Sequence, residues 1–176
     1  MIPDTFSLNF LRPKFSIERS VSRDCPKLNS PIFDQFVETA DICLGWFWGP
    51  DLAFSNIEGV LDVVVGYAGG KEIGPTYRNI LDHTEAVRVQ FDPTRITYRD
   101  ILRIFFMEHS PFAPEYSRQY RSALLVHNDD QREVANEMVS ALAKKTGRLV
   151  YTKVEDATDF YRAEEYHQKY FEKQSS

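Results

Sequence analysis

Strict alternation of apolar and polar residues marks two segments of the chain, and it constrains the fold more than any other feature. Val37–Leu44 places Ala40, Ile42 and Leu44 on one face, and Glu85–Phe91 alternates in the same way. A period of two residues is typical of a β-strand with one buried face. The sequence therefore predicts a sheet that is covered by a second layer.

The remaining elements follow from turn residues and from apolar residues at helical spacing. In chain order we predict a strand over Val37–Leu44, a helix from Pro50 that Gly59 closes, a strand over Val60–Gly66 that the run to Gly70 breaks, a strand over Glu85–Phe91, a helix from Thr97 to His109, a strand over Ser122–His127, a helix from Asn128 to Gly147, a strand over Leu149–Val154 and a last helix over Phe160–Lys173. The first six elements match the split β-α-β arrangement of ferredoxin-like folds. We expect an α+β, ferredoxin-like two-layer sandwich with a C-terminal helix-strand-helix extension.

Residues 1–34 differ from the rest of the chain. They are rich in arginine, lysine and serine and poor in acids. Two interpretations fit this composition: a transit peptide or a loosely packed extension. We expect the folded domain to span residues 35–173. Its location would be cytoplasmic, or an organelle if the first segment is a transit peptide.

Charge and cysteine content exclude several classes of protein. The formal net charge is −5, whereas nucleic-acid-binding proteins are usually basic. No apolar run is long enough to span a membrane. Cys25 and Cys43 lack the paired Cys and His spacing of a zinc site, and they favour a reducing compartment over a disulfide scaffold. We expect neither a metal nor another cofactor.

Glu85 is the first candidate for chemistry. In a period-two strand it shares the core face with Val87, Val89 and Phe91. Burial would raise the pKa of its carboxyl group, and a protonated carboxylic acid can donate a hydrogen bond or a proton at neutral pH. The alternative is that Glu85 lies at the open end of the strand and reaches solvent.

Aromatic residues near predicted turns are the second set of candidates. Tyr77 follows a Gly-Pro turn and Tyr120 precedes a strand, and a phenol can donate to a ligand oxygen while its ring packs. Phe47 and Trp48 lie in the stretch GWFWGPD, where they could form an apolar socket for a methyl group. Each of these rings could equally be a packing residue, so the pattern by itself does not specify a reaction.

Five blocks of sequence resemble the methionine sulfoxide reductase A family. They are GWFWGPD at 45–51, GVLDVVVGYAGG at 59–70, PTYRNILDHTEAVRVQFDP at 75–93, QYRSALLVHNDDQ at 119–131 and FYRAEEYHQKY at 160–170. The blocks run in the family's order over residues 37–172. The resemblance implies a ferredoxin-like α+β sandwich that reduces the S-sulfoxide of methionine, free or in proteins.

The resemblance also implies roles for individual residues. Glu85 would be the acid that protonates the leaving oxygen, and Tyr77 and Tyr120 would bind that oxygen. Phe47 and Trp48 would hold the S-methyl group. The family's aspartate near the second tyrosine falls near Glu115, in a loop that is shorter than the commonest form. The family relies on thioredoxin or another thiol as reductant, and we expect the chain to act as a monomer.

Trp46 departs from this resemblance, because the family carries its nucleophilic cysteine at this position. An indole offers no lone pair for attack on sulfur at neutral pH. Three interpretations follow. The chain is an inactive homologue that binds methionine sulfoxide or another small ligand, or the codon specifies selenocysteine and a translation table has rendered it as tryptophan, or a structural or interaction role has replaced the chemistry.

Two further expectations concern Cys43 and the size of the Trp46 side chain. Cys43 is an odd number of residues before position 46, so it should face away from it in a strand. A tryptophan is much larger than a cysteine, so we expect the Trp46 indole to occupy part of the pocket unless the turn swings it outward.

Overall fold

The computed structural model describes residues 37–174, so that the predicted N-terminal extension and Cys25 lie outside the described residues. Its helices and strands are β1 (Glu38–Leu44), α1 (Trp48–Ser55), β2 (Val60–Ala68), β3 (Thr84–Phe91), α2 (Tyr98–Glu108), β4 (Ser122–Val126), α3 (Asp129–Thr146), β5 (Lys153–Asp156), β6 (Tyr161–Arg162) and α4 (Tyr170–Gln174). Short 3₁₀ turns cover Arg118–Tyr120 and Glu165–His167. The predicted α+β class is confirmed.

The strands form one six-stranded sheet in the order β5-β4-β1-β3-β2-β6. Strand β1 lies at its centre and pairs antiparallel with both β3 and β4. Strand β2 pairs antiparallel with β3, and β5 adds to β4 in parallel. The ends of β1 and β3 therefore lie side by side, which brings residues from the 40s and the 80s of the chain together.

The period of two in β1 divides the buried residues between the two faces of the sheet. Ala40, Ile42 and Leu44 join the main core, which also contains Phe54 of α1 and residues of α2 and α3. Cys43 belongs to a second and smaller cluster, which we call the alanine cluster. Its buried members are Cys43, Ala68, Ala86, Ala123 and Leu125. Because alternate side chains of a strand point to opposite faces, these two clusters lie on opposite sides of the sheet.

The capping signals of α2 and α3 are confirmed. The Thr97 side chain accepts from the Asp100 backbone N–H, and the Asp100 carboxylate accepts from the Thr97 backbone N–H, which completes a capping box. Helix α3 begins after Asn128, whose side chain accepts from the Gln131 N–H, and it ends at Gly147 in a left-handed conformation.

Two predicted boundaries in the first half of the chain are wrong. Helix α1 ends at Ser55 and not at Gly59, because two successive turns connect it to β2. Strand β2 continues through Gly66 to Ala68. Gly66 does not break the strand, because its missing side chain is what the neighbouring strand requires: an added Cβ would lie 2.4 Å from the Tyr161 carbonyl oxygen.

The C-terminal predictions need a larger correction. A strand was expected over Leu149–Val154, but β5 covers Lys153–Asp156. Phe160–Lys173 is predicted to be one helix, but it contains β6, a 3₁₀ turn and the first four of the five residues of α4. Backbone pairing with β2 determines this structure: the Ala163 N–H donates to the Val65 carbonyl at 3.0 Å. Helical spacing of apolar residues does not reveal such a long-range pairing.

Among residues 37–174, none of the helices combines the length and the apolar character that crossing a membrane requires.

Candidate active site

A cleft of about 320 Å³ opens where the β1–α1 turn meets the start of β3, and we call it the aromatic cleft. It is lined by Gly45, Trp46, Phe47, Trp48, Tyr77, Glu85, Tyr116 and Tyr120. Six of these residues are aromatic and one is a carboxylic acid. Four separate segments supply the lining, because the sheet order places their ends at one edge of the molecule.

The β1–α1 turn places three consecutive aromatic residues on the cleft. Gly45 has a φ of +96°, which reverses the chain direction after β1 at little steric cost. Asp51, in the first helical turn of α1, anchors the β1–α1 turn. The Asp51 carboxylate accepts hydrogen bonds from the Lys169 backbone N–H at 2.7 Å and from Lys169 Nζ at 2.8 Å. The C-terminal segment therefore holds the turn in place.

Glu85 lies at the base of the aromatic cleft and is 2% exposed. Its Oε2 accepts from the Phe47 backbone N–H at 3.3 Å, and its Oε1 accepts from Gln119 Nε2 at 2.9 Å. Burial raises the pKa of Glu85 to about 7, although hydrogen bonds from Gln119, Phe47 and Tyr120 favour the ionised form and limit the rise. The solvent-exposed alternative is wrong, and Glu85 is poised to exchange a proton near neutral pH.

Tyr77 and Tyr120 flank Glu85. The Tyr120 phenol lies close to the Glu85 carboxyl group and to the Tyr77 phenol. Burial and then the charge of Glu85 raise the pKa of Tyr120 to about 12, so its phenol keeps its proton at physiological pH. Tyr77 is 36% exposed, and its backbone N–H donates to Glu164 Oε1 at 3.0 Å. Two phenols therefore stand beside one carboxyl group.

Residues from the C-terminal segment support Trp48. Its indole stacks on Tyr170 with a centroid distance of 4.1 Å and an interplanar angle of 9°. The indole Nε1–H donates to His167 Nδ1 at 3.1 Å. Because an indole N–H can only donate, His167 Nδ1 carries no proton. Burial lowers the pKa of His167, and the Glu164 charge opposes that shift. A neutral histidine thus fixes the orientation of Trp48.

Trp46 forms a wall of the aromatic cleft and does not fill it. The residue is 52% exposed. Its ring packs edge-to-face against Trp48 and Phe171, with distances between ring centroids of 6.1 Å and 6.0 Å. The expectation that the indole would occupy part of the pocket is therefore wrong, and the stated exception applies: the turn directs the ring outward along the side of the cleft.

The structure places Glu115 outside the aromatic cleft. Glu115 is exposed and lines a neighbouring cavity of about 170 Å³ together with His109 and Arg121. Two residues that the sequence did not identify contribute instead: Gln119 donates to Glu85, and Tyr116 lines the cleft. Gln119 belongs to the block QYRS, which could have suggested it, whereas the ring of Tyr116 gave no periodic signal.

The described part of the chain offers the aromatic cleft no thiol. Cys43 is fully buried in the alanine cluster, and burial raises the pKa of its thiol to about 12. Residues 37–174 also contain no group of three or more His, Cys, Asp or Glu side chains arranged to hold a metal ion. Such a site can donate hydrogen bonds and a proton to a bound polar group, but it has no strong nucleophile.

Comparison with protein families gives a match over almost all of the described residues. The family model described as peptide methionine sulfoxide reductase matches residues 38–176. A peptide methionine sulfoxide reductase from Rhodopirellula baltica is 39% identical over 143 residues, which cover 76% of this chain and 74% of that protein. One from Solanum lycopersicum is 39% identical over 159 residues, or 84% of this chain and 80% of that protein.

Solved structures of similar fold are also known. Mxr1 from Saccharomyces cerevisiae in reduced form has a TM-score of 0.74 and 30% identity, covering 81% of this chain and 88% of that chain. Methionine sulfoxide reductase A of Corynebacterium diphtheriae has a TM-score of 0.69 and 29% identity, covering 79% and 76%. Mxr1 in complex with Trx2 has a TM-score of 0.56 and 27% identity, covering 77% and 86%.

Proposed function

The chain belongs to the peptide methionine sulfoxide reductase family, and we propose that its aromatic cleft binds the side chain of methionine S-sulfoxide, free or in a polypeptide. We further propose that reduction of the bound sulfoxide requires a thiol or selenol at position 46. With tryptophan there, the chain binds the ligand without reducing it at a normal rate.

The lining of the aromatic cleft supports a definite orientation for the sulfoxide. Its S-methyl group would pack against Phe47 and Trp48, which are held rigidly by His167 and Tyr170. Its oxygen would receive hydrogen bonds from Tyr77, Tyr120 and the protonated form of Glu85. A sulfoxide oxygen is a strong acceptor, so three convergent donors in a largely apolar cleft suit it.

The chemical step explains why position 46 decides the activity. A thiolate at this position would attack the sulfoxide sulfur while Glu85 gives its proton to the departing oxygen. The oxygen moves to the attacking sulfur, so the products are a thioether and a sulfenic acid. Two further thiols would reduce the sulfenic acid to the thiol, releasing water and forming a disulfide. The Trp46 indole cannot begin this sequence.

A thioredoxin-type protein is the proposed reductant of a chain that carries the thiol. The yeast relative of similar structure is described in complex with Trx2. The half-exposed position of residue 46 supports such an encounter, because a reductant must reach the oxidised sulfur from solvent. We also propose that the chain acts as a monomer.

We also propose that the core of the domain has the ferredoxin-like arrangement of strands and helices. The elements β1-α1-β2-β3-α2-β4, with the strand order β4-β1-β3-β2 in the middle of the sheet, support a ferredoxin-like core. The reductase domain would then be residues 35–173, preceded by an extension over residues 1–34.

A single observation carries the proposed function: Glu85 is buried at the base of the aromatic cleft, with a pKa of about 7, between the turn that bears position 46 and the Tyr120 phenol. The test is reduction of N-acetyl-methionine S-sulfoxide with dithiothreitol by the chain and by Trp46→Cys. We expect turnover only in Trp46→Cys, and only for the S epimer. Turnover by the unchanged chain would overturn the role given to position 46, and a folded but inactive Trp46→Cys would overturn the assignment of the site.

Binding without reduction, the function proposed for the chain with Trp46, is favoured by the open cleft and can be tested separately. The aromatic cleft retains a volume of about 320 Å³ in the presence of Trp46, within the range of small-ligand pockets. Saturable binding of the sulfoxide to the unchanged chain would support this part of the proposal, and the absence of binding at millimolar concentration would contradict it.

A further inference from the structure

The aromatic cleft combines many aromatic rings with one ionisable group. Six aromatic rings surround a single carboxyl group, and Glu85 is the one residue of the lining that can carry a full charge at neutral pH. Rings around a carboxylate are how proteins recognise methylated cations, since each ring face attracts positive charge and each methyl group packs against carbon.

The rings are arranged as walls with different orientations. Trp46 and Trp48 meet at an interplanar angle of 67° with 6.1 Å between their centroids. Tyr116 and Tyr120 form a second pair, 6.1 Å apart and inclined by only 28°. A cation held against the accessible face of one of these rings lies within about 6 Å of its centroid, the distance over which the attraction is significant.

Trp46 is the residue that completes this arrangement. Without it the turn would contribute only Phe47, which is 2% exposed, and Trp48, one face of which is covered by Tyr170. The 52% exposed indole of Trp46 adds a large accessible ring, and tryptophan is the best of the aromatic residues for binding cations. The residue that removes the nucleophile therefore adds a cation-binding wall.

We propose that the aromatic cleft of this chain binds a methylated ammonium group, such as the head of trimethyl-lysine, between Trp46, Trp48 and the tyrosines, with the Glu85 carboxylate as its counter-charge. This inference rests on the lining of the cleft and not on sulfoxide reduction. The same site then accepts two ligands of similar shape that require different forms of Glu85. The oxygen of a neutral sulfoxide needs a hydrogen-bond donor, and the methylated ammonium group needs a negative charge.

The proton on Glu85 selects between these ligands. The titratable groups around it are the phenols of Tyr67 on β2, of Tyr77 and of Tyr120, with His167 and Glu164 behind them. Burial raises the pKa of Tyr67 and of Tyr120 and lowers that of His167, and the Tyr67 hydrogen bond helps to keep the pKa of Glu164 low. The carboxyl group of Glu85 therefore changes charge near pH 7, while Tyr67, Tyr120, Glu164 and His167 keep theirs.

Opposite pH dependences follow for the two ligands. Cation binding favours ionised Glu85, so affinity rises with pH through about 7 and then levels off. Between about pH 6 and 8 the ionised fraction increases roughly tenfold, and the affinity for the cation should rise by up to the same factor. Sulfoxide binding uses the protonated form and should weaken over the same interval.

The test is isothermal titration calorimetry with N-acetyl-trimethyl-lysine amide and with its neutral isostere, in which carbon replaces the ammonium nitrogen. The cation should bind at least about tenfold more tightly than the isostere at pH 8. Trp46→Leu, which keeps apolar volume but removes the ring, should abolish that preference, and Trp46→Phe should retain part of it. Free choline, titrated in parallel, shows whether the methylated head alone is recognised or a lysine side chain is needed.

The outcomes separate this inference from the proposed function. Equal affinity for the cation and its isostere, an unchanged preference in Trp46→Leu, or no binding of either cation would overturn it, even if Trp46→Cys reduces sulfoxides. A cation preference that survives Trp46→Leu but disappears in Glu85→Gln would also overturn the role given to Trp46. Cation binding together with an inactive Trp46→Cys would leave the inference standing and refute the reductase site.

Discussion

Cys43 and Trp46 are three residues apart in the chain and lie in opposite environments. Cys43 is fully buried in the alanine cluster, on the face of the sheet away from the main core. Trp46 is half-exposed on the aromatic cleft, beside the carboxyl group of Glu85. The chain thus carries a thiol where no ligand can reach it and an indole where a thiol would be useful, because Gly45 turns the backbone between them.

The comparison shows that the reactivity of a thiol in this segment depends on the environment that its side chain enters, and that positions close in sequence can differ completely. Cys43 pairs with Ala123 across β1 and β4, so small side chains surround it and exclude water. A thiolate in such surroundings is strongly disfavoured, and the pKa of Cys43 is about 12. Position 46 adjoins the start of α1, whose backbone N–H groups favour a negative charge.

The largest expected effect is on thiol reactivity. In a Cys25→Ser background, the Trp46→Cys thiol should react with iodoacetamide at least about 10³-fold faster than Cys43 at pH 7.5, since thiolate is the reactive species. Mass spectrometry of labelled peptides measures both rates in one sample. Addition of denaturant should equalise the two thiols, and a Cys43 that reacts at a comparable rate in the native chain would remove the contrast.

The next effect concerns Glu85 as a proton donor. In Trp46→Cys, the further change Glu85→Gln should lower kcat/KM for the sulfoxide by roughly 10²-fold, the usual size of general acid catalysis. The activity of Trp46→Cys should also decline as pH rises through about 7, because the carboxyl group must be protonated to donate. Glu85→Gln should lose that pH dependence, and a variant that keeps full activity would show that the acid lies elsewhere.

The same carboxyl group should make stability depend on pH. The pKa of Glu85 is about 7 in the folded chain against a reference value of 4.5, so the folded state binds this proton more tightly. Its contribution is complete below about pH 4.5 and is lost as pH rises to about 7, a change of roughly 3 kcal/mol in the free energy of unfolding. Urea titrations at pH 5 and 8 measure it. Glu85→Gln should remove it, whereas Glu72→Gln on the exposed loop should not.

The smallest effect should come from the alanine cluster. Cys43→Ser places a hydroxyl among apolar side chains and should lower the free energy of unfolding by about 1–3 kcal/mol. Cys43→Ala, the matched control, should cost less. Neither change should alter the affinity of the aromatic cleft for sulfoxides or cations. A shift in that affinity would show that the two regions are coupled through β1.

Local patterns predicted the parts of the fold that local interactions determine. The alternation in β1 and β3 is confirmed, and so are the capping residues Thr97 and Asn128, because each of these signals lies within a few residues of the structure that it predicts. Strand β6 was missed because it depends on Gly66, almost a hundred residues earlier, which leaves space for the Tyr161 carbonyl.

In the candidate site too, local features could be predicted from the sequence and long-range contacts could not. The period-two strand placed Glu85 on the core face but left open whether its carboxyl group reached solvent, and resemblance to a family supplied the roles of the neighbouring aromatic residues. The side chains that orient them were not predictable in this way. His167 is 119 residues from Trp48, and Gln119 is 34 residues from Glu85. Contacts at such separations leave no periodic signal, so only the folded chain brings them together.

The support of Trp48 by His167 and Tyr170 has a consequence for how the protein is made. A ribosome releases a chain from its N-terminus, so β1, the turn and Glu85 emerge long before the residues that brace the indole. The Asp51–Lys169 bonds that clamp the turn form equally late. A nascent chain therefore has no finished cleft until residues 167–170 have been synthesised and have packed against α1.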